Sequence, residues 1–134
     1  MPVLRSSLAQ RAKAPLAAAL LALLTGCGGG VYLGYDYTPD DPPNVDLAVS
    51  TDVAAPNEAV RLVAAASDDF AVDRVSFYRM DNGRSVLLVT DRSAPWQLDT
   101  VIPVDATGSV RYFARAVDDA GQSRDSTVVT VLIQ

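Results

Sequence analysis

The chain has 134 residues, of which 49% are hydrophobic, and it carries eleven Lys and Arg against sixteen Asp and Glu. This length has room for one small domain. The acidic balance disfavours nucleic acid as a partner, because phosphates repel negative charge. Histidine is absent and only one cysteine occurs, so the commonest general base, the usual zinc ligands and an internal disulfide are all missing. Catalysis would have to come from carboxylates, hydroxyls or arginine, for example a glycosidase-like pair such as Asp68 and Asp118. Because every predicted loop is short and leaves no pocket for a sugar ring, we predict that the protein is not an enzyme.

The first part of the chain, residues 1–26, has the organisation of a secretory signal peptide. Arg5, Arg11 and Lys13 precede an apolar run over residues 16–24, and small residues follow that run. As a helix the run would span only ~15 Å, about half of the bilayer hydrocarbon, which is too short for a lasting transmembrane helix. Two alternatives remain, a buried helix of a cytosolic protein and a plain cleaved signal whose cysteine stays an ordinary thiol.

Four residues at the end of the apolar run, Leu24, Thr25, Gly26 and Cys27, include the only cysteine of the chain. This arrangement resembles the lipobox of bacterial lipoproteins. The resemblance implies a diacylglyceryl lipid on the Cys27 thiol, cleavage between Gly26 and Cys27, and acylation of the new amino terminus. Two or three acyl chains attach a protein stably to a membrane. Gly28 stands where the family's inner-membrane retention pattern has Asp, so the resemblance favours a lipid anchor in the outer membrane, on its periplasmic face or at the cell surface.

Residues 27–43 are predicted to form the lipidated start of the mature chain and a flexible tether. Three glycines open the tether and two prolines close it, and no sustained hydrophobic period lies between them. A coil of about sixteen residues spans roughly 20–25 Å, which would keep the domain near the membrane. The tether also contains Tyr32, Tyr35 and Tyr37, which either form a docking surface or are simply solvated.

Residues 44–134 alternate apolar and polar side chains, with turn-forming residues about every eight to twelve positions, a pattern typical of an antiparallel β-sandwich. We predict an all-β fold, a single seven-stranded antiparallel Ig-like β-sandwich. The Asn82-Gly83 pair predicts a tight hairpin, since both residues tolerate positive φ. The last strand is rich in Val, Leu and Ile and is predicted to offer an exposed edge to a partner's sheet. The predicted strands are 45–49, 59–66, 74–80, 85–90, 96–101, 109–117 and 127–133.

The alternation also predicts which side chains face the core. On the predicted second, third and sixth strands, every second residue is apolar, and the alanines among them would let the two sheets approach closely. The predicted core positions are Val60, Leu62, Ala64, Ala66, Val75, Phe77, Val110, Tyr112, Ala114 and Ala116.

Four segments of the chain resemble bacterial Ig-like domains: VRLVAAASDD (60–69), DRVSFYRMDNG (73–83), SAPW (93–96) and GSVRYFARAVDDAGQS (108–123). The resemblance covers nearly all of residues 44–134. It implies an Ig-like fold and says little about function, because such modules serve as spacers or binding platforms. Two departures are Val110, where the family often has tyrosine, and Trp96, which replaces the commoner Tyr or Phe.

Two functional interpretations follow from these features. The first is a non-catalytic lipoprotein, held on the membrane by its lipid, that presents the Ig-like domain to another protein of the cell envelope. The second is a module that binds extracellular polysaccharide or calcium. Apart from the covalent lipid on Cys27 and calcium, no cofactor is expected.

Paired acids support the calcium interpretation. In the strand order of an Ig-like domain, two acidic loops lie at the same pole as the entering tether. Calcium takes six to eight oxygen ligands, so six carboxylates within reach of each other could hold it. The alternative is ordinary turn chemistry, in which Asp side chains bond their own backbone. The acids are Asp40, Asp41, Asp68, Asp69, Asp118 and Asp119.

Aromatic residues support the polysaccharide interpretation. Trp96, with Tyr78 or Phe113, could form an exposed platform on which a sugar ring stacks. The alternative is that Trp96 anchors the core or a sheet edge. Arg111 and Arg115, on the same strand as Phe113, are expected to form a solvated face with cross-strand pairs.

Overall fold

The structure is a computed structural model that describes Gly34 and residues Thr38–Gln134. The signal peptide, the lipobox with Cys27, and the three tether tyrosines lie outside the described residues, so those assignments stay predictions. Residues Thr38–Gln134 form one compact unit. Within that part of the chain, no helix has the length and apolar character needed to cross a membrane.

Two β-sheets make up the described part of the chain and confirm the predicted all-β sandwich. The strands are β1 (Asn44–Val49), β2 (Val53–Ala54), β3 (Ala59–Ser67), β4 (Val72–Asp81), β5 (Arg84–Asp91), β6 (Gln97–Val101), β7 (Ser109–Asp118), β8 (Ser123–Asp125) and β9 (Val129–Ile133). The smaller sheet has the strand order β1-β3-β6. The larger sheet has the order β2-β9-β7-β4-β5, and β8 pairs with β7.

Seven of these strands match the predicted ones to within two residues at each end. The other two, β2 and β8, were not predicted. They contain only two and three residues, which is too short for an alternating pattern to appear in the sequence. β2 also runs parallel to β9, whereas the other strand pairs of the described chain are antiparallel.

The core lies between the two sheets and contains the residues predicted for it. Phe77 and Tyr112, both fully buried, are its largest members. Nine of the ten predicted positions are buried, and Ala66 is partly buried against the same cluster. Ile102, 1% exposed, also belongs to the core although it follows β6 in a loop. The alternation of β3, β4 and β7 therefore identified the buried face of each sheet correctly.

The predicted hairpin joins β4 to β5. Asn82 and Gly83 both have positive φ, 48° and 79°, and they separate the paired residues Asp81 and Arg84. A two-residue turn of this kind matches the right-handed twist of the flanking strands. Further along the pair the register shifts, because Phe77 pairs with Val89 while the next residue of β4 pairs with Leu87. β5 therefore contains one extra residue there, a β-bulge.

The larger sheet exposes a different edge from the predicted one. β9 lies between β7 and β2. β2 pairs in parallel with the end of β9, at Leu132 and Ile133. The prediction that the last strand offers a free edge is therefore wrong. The two residues of β2 carried no readable pattern, and only the fold brings them beside β9. β5 forms the opposite edge and, among the described strands, pairs with β4 alone.

The burial of Phe77 predicts a large loss of stability when its ring is removed. Phe77→Ala should lower the free energy of unfolding by ~3–5 kcal/mol, because it removes buried surface and leaves a cavity between the sheets. Urea unfolding followed by fluorescence would measure this loss. Phe70→Ala is the matched control, since its ring is 60% exposed. Equal losses in the two variants would contradict the proposed core.

Candidate functional site

Five of the six acids named from the sequence meet at one end of the sandwich, which we call the acidic pole. Their carboxylate oxygens form two overlapping sets, within each of which the atoms lie within 4.8 Å of one another. Asp40 belongs to both sets. One set adds the two acids that follow β3, and the other adds the two at the end of β7. The acidic pole consists of Asp40, Asp68, Asp69, Asp118 and Asp119.

Strand register explains why these acids converge. β1 begins where β3 ends, since Asn44 pairs with Ser67. β4 begins where β7 ends, since Val72 pairs with Asp118. The tether that enters β1, the turn between β3 and β4, and the turn after β7 therefore all lie at the same end of the sandwich.

Two of these aspartates, Asp68 and Asp118, each use one carboxylate oxygen to accept hydrogen bonds from backbone N–H groups of their own turn. Asp68 Oδ2 accepts hydrogen bonds from the N–H groups of Phe70 and Ala71, both at 3.0 Å. Asp118 Oδ1 accepts one from the Gln122 N–H at 2.7 Å. The turn interpretation is therefore correct for these oxygens, and each carboxylate keeps its second oxygen for another partner.

The second oxygens are buried and have no hydrogen-bond partner. These atoms are Asp68 Oδ1 and Asp118 Oδ2, and Asp40 Oδ1 is in the same state. Asp118 as a whole is only 1% exposed. Buried carboxylate oxygens normally accept a hydrogen bond or bind a cation, because leaving them without either costs free energy. The acidic pole thus contains three oxygens that lack a partner within the described chain.

The tether contacts both loops of the acidic pole. Gln122 Nε2 donates a hydrogen bond to the backbone carbonyl of Asp40 at 3.0 Å. The Asp41 N–H donates to Asp69 Oδ2 at 3.4 Å, so Asp41 contributes its backbone rather than its carboxylate. Sequence reasoning missed Gln122, although its place directly after the turn glycine Gly121 was a signal.

Arginine does not neutralise the acidic pole in the described part of the chain, where the salt bridges involve other aspartates. The pKa of Asp40 is raised, chiefly by burial; the Gln122 side chain lowers it, and the negative charges of Asp118, Asp69 and Asp68 raise it again. The carboxylates therefore repel one another when no cation is bound. The aspartates that pair with arginine are Asp73, Asp81, Asp99 and Asp125.

The donor set of the acidic pole fits calcium. Calcium binds oxygen ligands at 2.3–2.6 Å, so two ligands on opposite sides of the ion lie at most ~5 Å apart. The spacing of up to 4.8 Å within each carboxylate set is compatible with that geometry. The pole offers neither histidine nor cysteine, which disfavours zinc.

The aromatic residues named for a sugar platform lie on different sheets. Trp96 packs against the core, and its carbonyl accepts a hydrogen bond from Ala64 of the smaller sheet. Tyr78 belongs to the larger sheet and stacks on Phe113, with ring centroids 4.9 Å apart and planes at 6°. The structure therefore does not bring Trp96 and Tyr78 together.

Arginine covers the Tyr78 ring on the outer face of the larger sheet. The Arg115 guanidinium lies 5.6 Å from the ring centroid. It also forms a bidentate ion pair with Asp125 of the neighbouring strand β8, with bonds of 2.5 and 2.8 Å. The expected cross-strand pairing on this face is thus confirmed for Arg115.

No family model matches the sequence, and no curated protein matches it. Among solved structures, the fold is similar to the fibronectin(III)-like modules of CbhA from Clostridium thermocellum, with a TM-score of 0.52 and 25% identity over 69% of this chain and 45% of that chain. It is also similar to Spo0M, a sporulation control protein from Bacillus subtilis, with a TM-score of 0.50 and 9% identity over 70% of this chain and 50% of that chain. The chain spans about half the length of these structures. The likeness supports the Ig-like sandwich fold.

Repulsion at the acidic pole predicts an unusual pH dependence in the presence of a chelator. At pH 7, Asp40→Asn should raise the melting temperature by a few degrees, because it removes a charge from among like charges. The pKa of Asp40 is raised above its ordinary value of 3.8, so the folded state binds this proton more tightly than the unfolded state. As the pH falls through the raised pKa, the wild-type carboxyl becomes neutral and the advantage of the variant should shrink.

Differential scanning calorimetry of both chains from pH 7 to pH 4 would measure that difference. Asp52→Asn is the matched control, since this acid lies in the loop between β1 and β2. A stabilisation by Asp40→Asn no larger than that by Asp52→Asn would contradict repulsion at the pole.

Proposed function

We propose that this protein is a non-catalytic lipoprotein that presents one Ig-like module from a membrane and binds calcium where the tether enters the module. The observation that carries the calcium proposal is the group of buried carboxylate oxygens without a partner, Asp40 Oδ1, Asp68 Oδ1 and Asp118 Oδ2. They come from the tether and from two separate turns. A cation beside Asp40 would have carboxylate oxygens of the tether and of one turn within 4.8 Å of one another, in either of the two sets.

Energetics support a cation rather than a purely structural role for these acids. A buried charge that lacks a partner costs several kcal/mol. Protonation could neutralise one carboxyl, and the raised pKa of Asp40 points in that direction. Neutralising the remaining acids near pH 7 requires a positive ion, since no arginine pairs with them in the described chain.

A bound calcium ion would fasten the tether to the module. Asp40 lies just before β1, whereas the other ligands belong to the turns after β3 and β7. An ion bound by Asp40 and by the acids of either turn would hold the end of the tether, directly before β1, against the sandwich.

The membrane part of the proposal rests on the sequence. The lipobox over residues 24–27 supplies the anchor on Cys27, and the outer membrane is the proposed location. Once residues 1–26 are removed, eight basic and sixteen acidic side chains remain, a net charge of −8. Anionic head groups repel such a surface, which supports a module that stands off the lipid and meets another envelope protein.

Two observations support a non-catalytic role. The chain contains no histidine, and its one cysteine is the proposed lipid attachment site. The carboxylates that converge at the pole are partly committed to holding turns through backbone N–H groups. They suit a structural cation site better than acid–base chemistry.

Calcium binding predicts a shift in thermal stability. At a calcium concentration of about 100 times Kd, the folded state gains roughly 2.7 kcal/mol, which raises the melting temperature of a domain of this size by about 10 °C or more. Asp118→Asn should abolish the calcium-dependent shift, because it removes the most buried ligand. Melting curves of the full chain in chelator and in millimolar calcium would test this, with Asp52→Asn as the control. Identical melting temperatures of the wild type under the two conditions would contradict the proposal.

The same experiment has a pH dependence with a definite sign. Ligand carboxylates must be ionised, so protons compete with the metal. Because the pKa of Asp40 is raised, calcium affinity should already fall at pH values above 3.8 as the solution is acidified. Isothermal titration at pH 7 and pH 5 would measure the decrease. An affinity that is the same or higher at pH 5 would argue against Asp40 as a ligand.

The lipid anchor predicts a metabolic labelling result. Cells fed an alkyne-tagged fatty acid should incorporate the tag into the wild-type chain and not into Cys27→Ser. The wild type should also sediment with membranes, whereas the variant should not, because it lacks acyl chains. Equal labelling of both chains would contradict attachment at Cys27.

A further inference from the structure

β5 is an exposed edge strand with an open side. Six of its eight residues are exposed, and among the described strands it pairs only with β4. Its exposed residues include Val86, Leu87 and Val89, with exposures of 38%, 53% and 36%. The unpaired N–H and C=O groups along such an edge form a template for another strand.

The sequence of β5, RSVLLVTD, is a chemical palindrome. It begins with a positive residue and ends with a negative one. Inside these come two hydroxyl residues, then two valines, and two leucines stand in the middle. A strand of this kind is complementary to a second copy of itself running in the opposite direction.

The β-bulge makes this complementarity compatible with the two faces of the sheet. In an antiparallel pair related by a two-fold axis, residues opposite each other must lie on the same face, and the residue at the axis is opposite itself. A regular strand of eight residues would fail this condition, because the two members of each matching pair are an odd number of positions apart and would lie on opposite faces. Because Leu88 is an extra residue in the bulge, β5 occupies seven positions along β4, and Leu87 is the middle one.

Pairing with β4 places the complementary residues on matching faces. Ser85 and Thr90 lie opposite Met80 and Ser76, which are an even number of positions apart. The side chains of Ser76 and Thr90 are hydrogen-bonded at 2.8 Å, which fixes their common face. The two valines also share a face, because Val86 lies opposite Arg79 and Val89 lies opposite Phe77, two positions apart on β4. The same holds for the two charged residues, because Arg84 lies opposite Asp81 and Asp91 lies opposite Val75, six positions apart.

We propose that two copies of this chain pair antiparallel through β5, about a two-fold axis at Leu87, to form one continuous sheet across both modules. In this register Arg84 lies opposite Asp91 of the second copy, and by symmetry a second ion pair forms. Ser85 lies opposite Thr90, and Val86 opposite Val89. Leu87 lies opposite the same residue of the second copy.

Charge selects this register over others. Neither Arg84 nor Asp91 takes part in a salt bridge within the described part of the chain. Asp91 uses Oδ1 to accept a hydrogen bond from the Ser93 N–H at 3.0 Å, which leaves Oδ2 for another partner. If one copy of β5 slid along the other, Arg84 and Asp91 would no longer lie opposite each other. Each charged residue would then lie opposite an apolar or hydroxyl residue or beyond the end of the other strand. The proposal is independent of calcium and of the lipid.

Site-specific crosslinking of the full chain would test the pairing. Residues directly opposite in an antiparallel pair have Cβ atoms about 4.5–5.5 Å apart. Leu87→Cys should therefore give a dimer with a short bismaleimide. Ser85→Cys is the matched control on the same strand and face, because its two copies would lie roughly 14 Å apart along the strands. The parent chain, in which Cys27 is the only cysteine, gives the background.

The expected result is roughly tenfold more dimer from Leu87→Cys than from Ser85→Cys, given the difference in spacing. Equal yields from the two variants would overturn the proposal. Crosslinking of Leu87→Cys to a different protein in membranes, without the homodimer, would also overturn it, because the edge would then belong to another partner.

A charge exchange separates this register from a chance contact. In the Leu87→Cys background, Arg84→Asp or Asp91→Arg alone should reduce the dimer several-fold, because like charges then lie opposite each other. The two substitutions together should restore it. Melting temperatures of all variants verify that each is folded. Failure of the double variant to recover would overturn the proposed register.

Discussion

The antiparallel pairing of β4 with β7 is the interaction on which the rest of the structure depends. Phe77 lies opposite Ala114, and the small side chain leaves room for the ring between the sheets. Both residues are fully buried, so a slip of one position would turn them outward and expose the core. The same register places Val72 beside Asp118 at one end of the pair. This pairing thus sets the centre of the hydrophobic core and one side of the acidic pole, and the pairing of β1 with β3 sets the other side.

The acidic pole combines two demands that conflict in the absence of a cation. The turns after β3 and β7 each need an Asp oxygen to hold backbone N–H groups. The fold then brings the remaining carboxylate oxygens close together, and in the described part of the chain none of these acids pairs with arginine. Because a cation would relieve both the repulsion and the missing contacts, occupancy of this pole would couple the stability of the module to the cation concentration around it. It would also connect the segment before β1 to the turns of the sandwich.

The two edges of the larger sheet differ in how they are closed. The β9 edge is covered by β2, a strand of two residues that pairs in parallel. The β5 edge stays open, and it carries both a bulge and a self-complementary sequence. A bulge often protects an edge strand from pairing. Here it instead sets the face of each residue so that pairing with a second copy becomes consistent, while pairing with an unrelated strand gains no such match.

The sequence by itself determined the features that depend on neighbouring residues. Alternation identified the buried faces of β3, β4 and β7, and Asn82-Gly83 determined a hairpin, because side-chain period and backbone conformation are local properties. The sequence also indicated that the paired acids at strand ends would lie at one pole, because the strand order of an Ig-like domain places those ends together. Only the tertiary structure decided that Asp41 contributes its backbone, that Trp96 packs inward away from Tyr78, and that β9 is covered while β5 is open. Those outcomes depend on contacts between residues far apart in the chain, and no local pattern records such contacts.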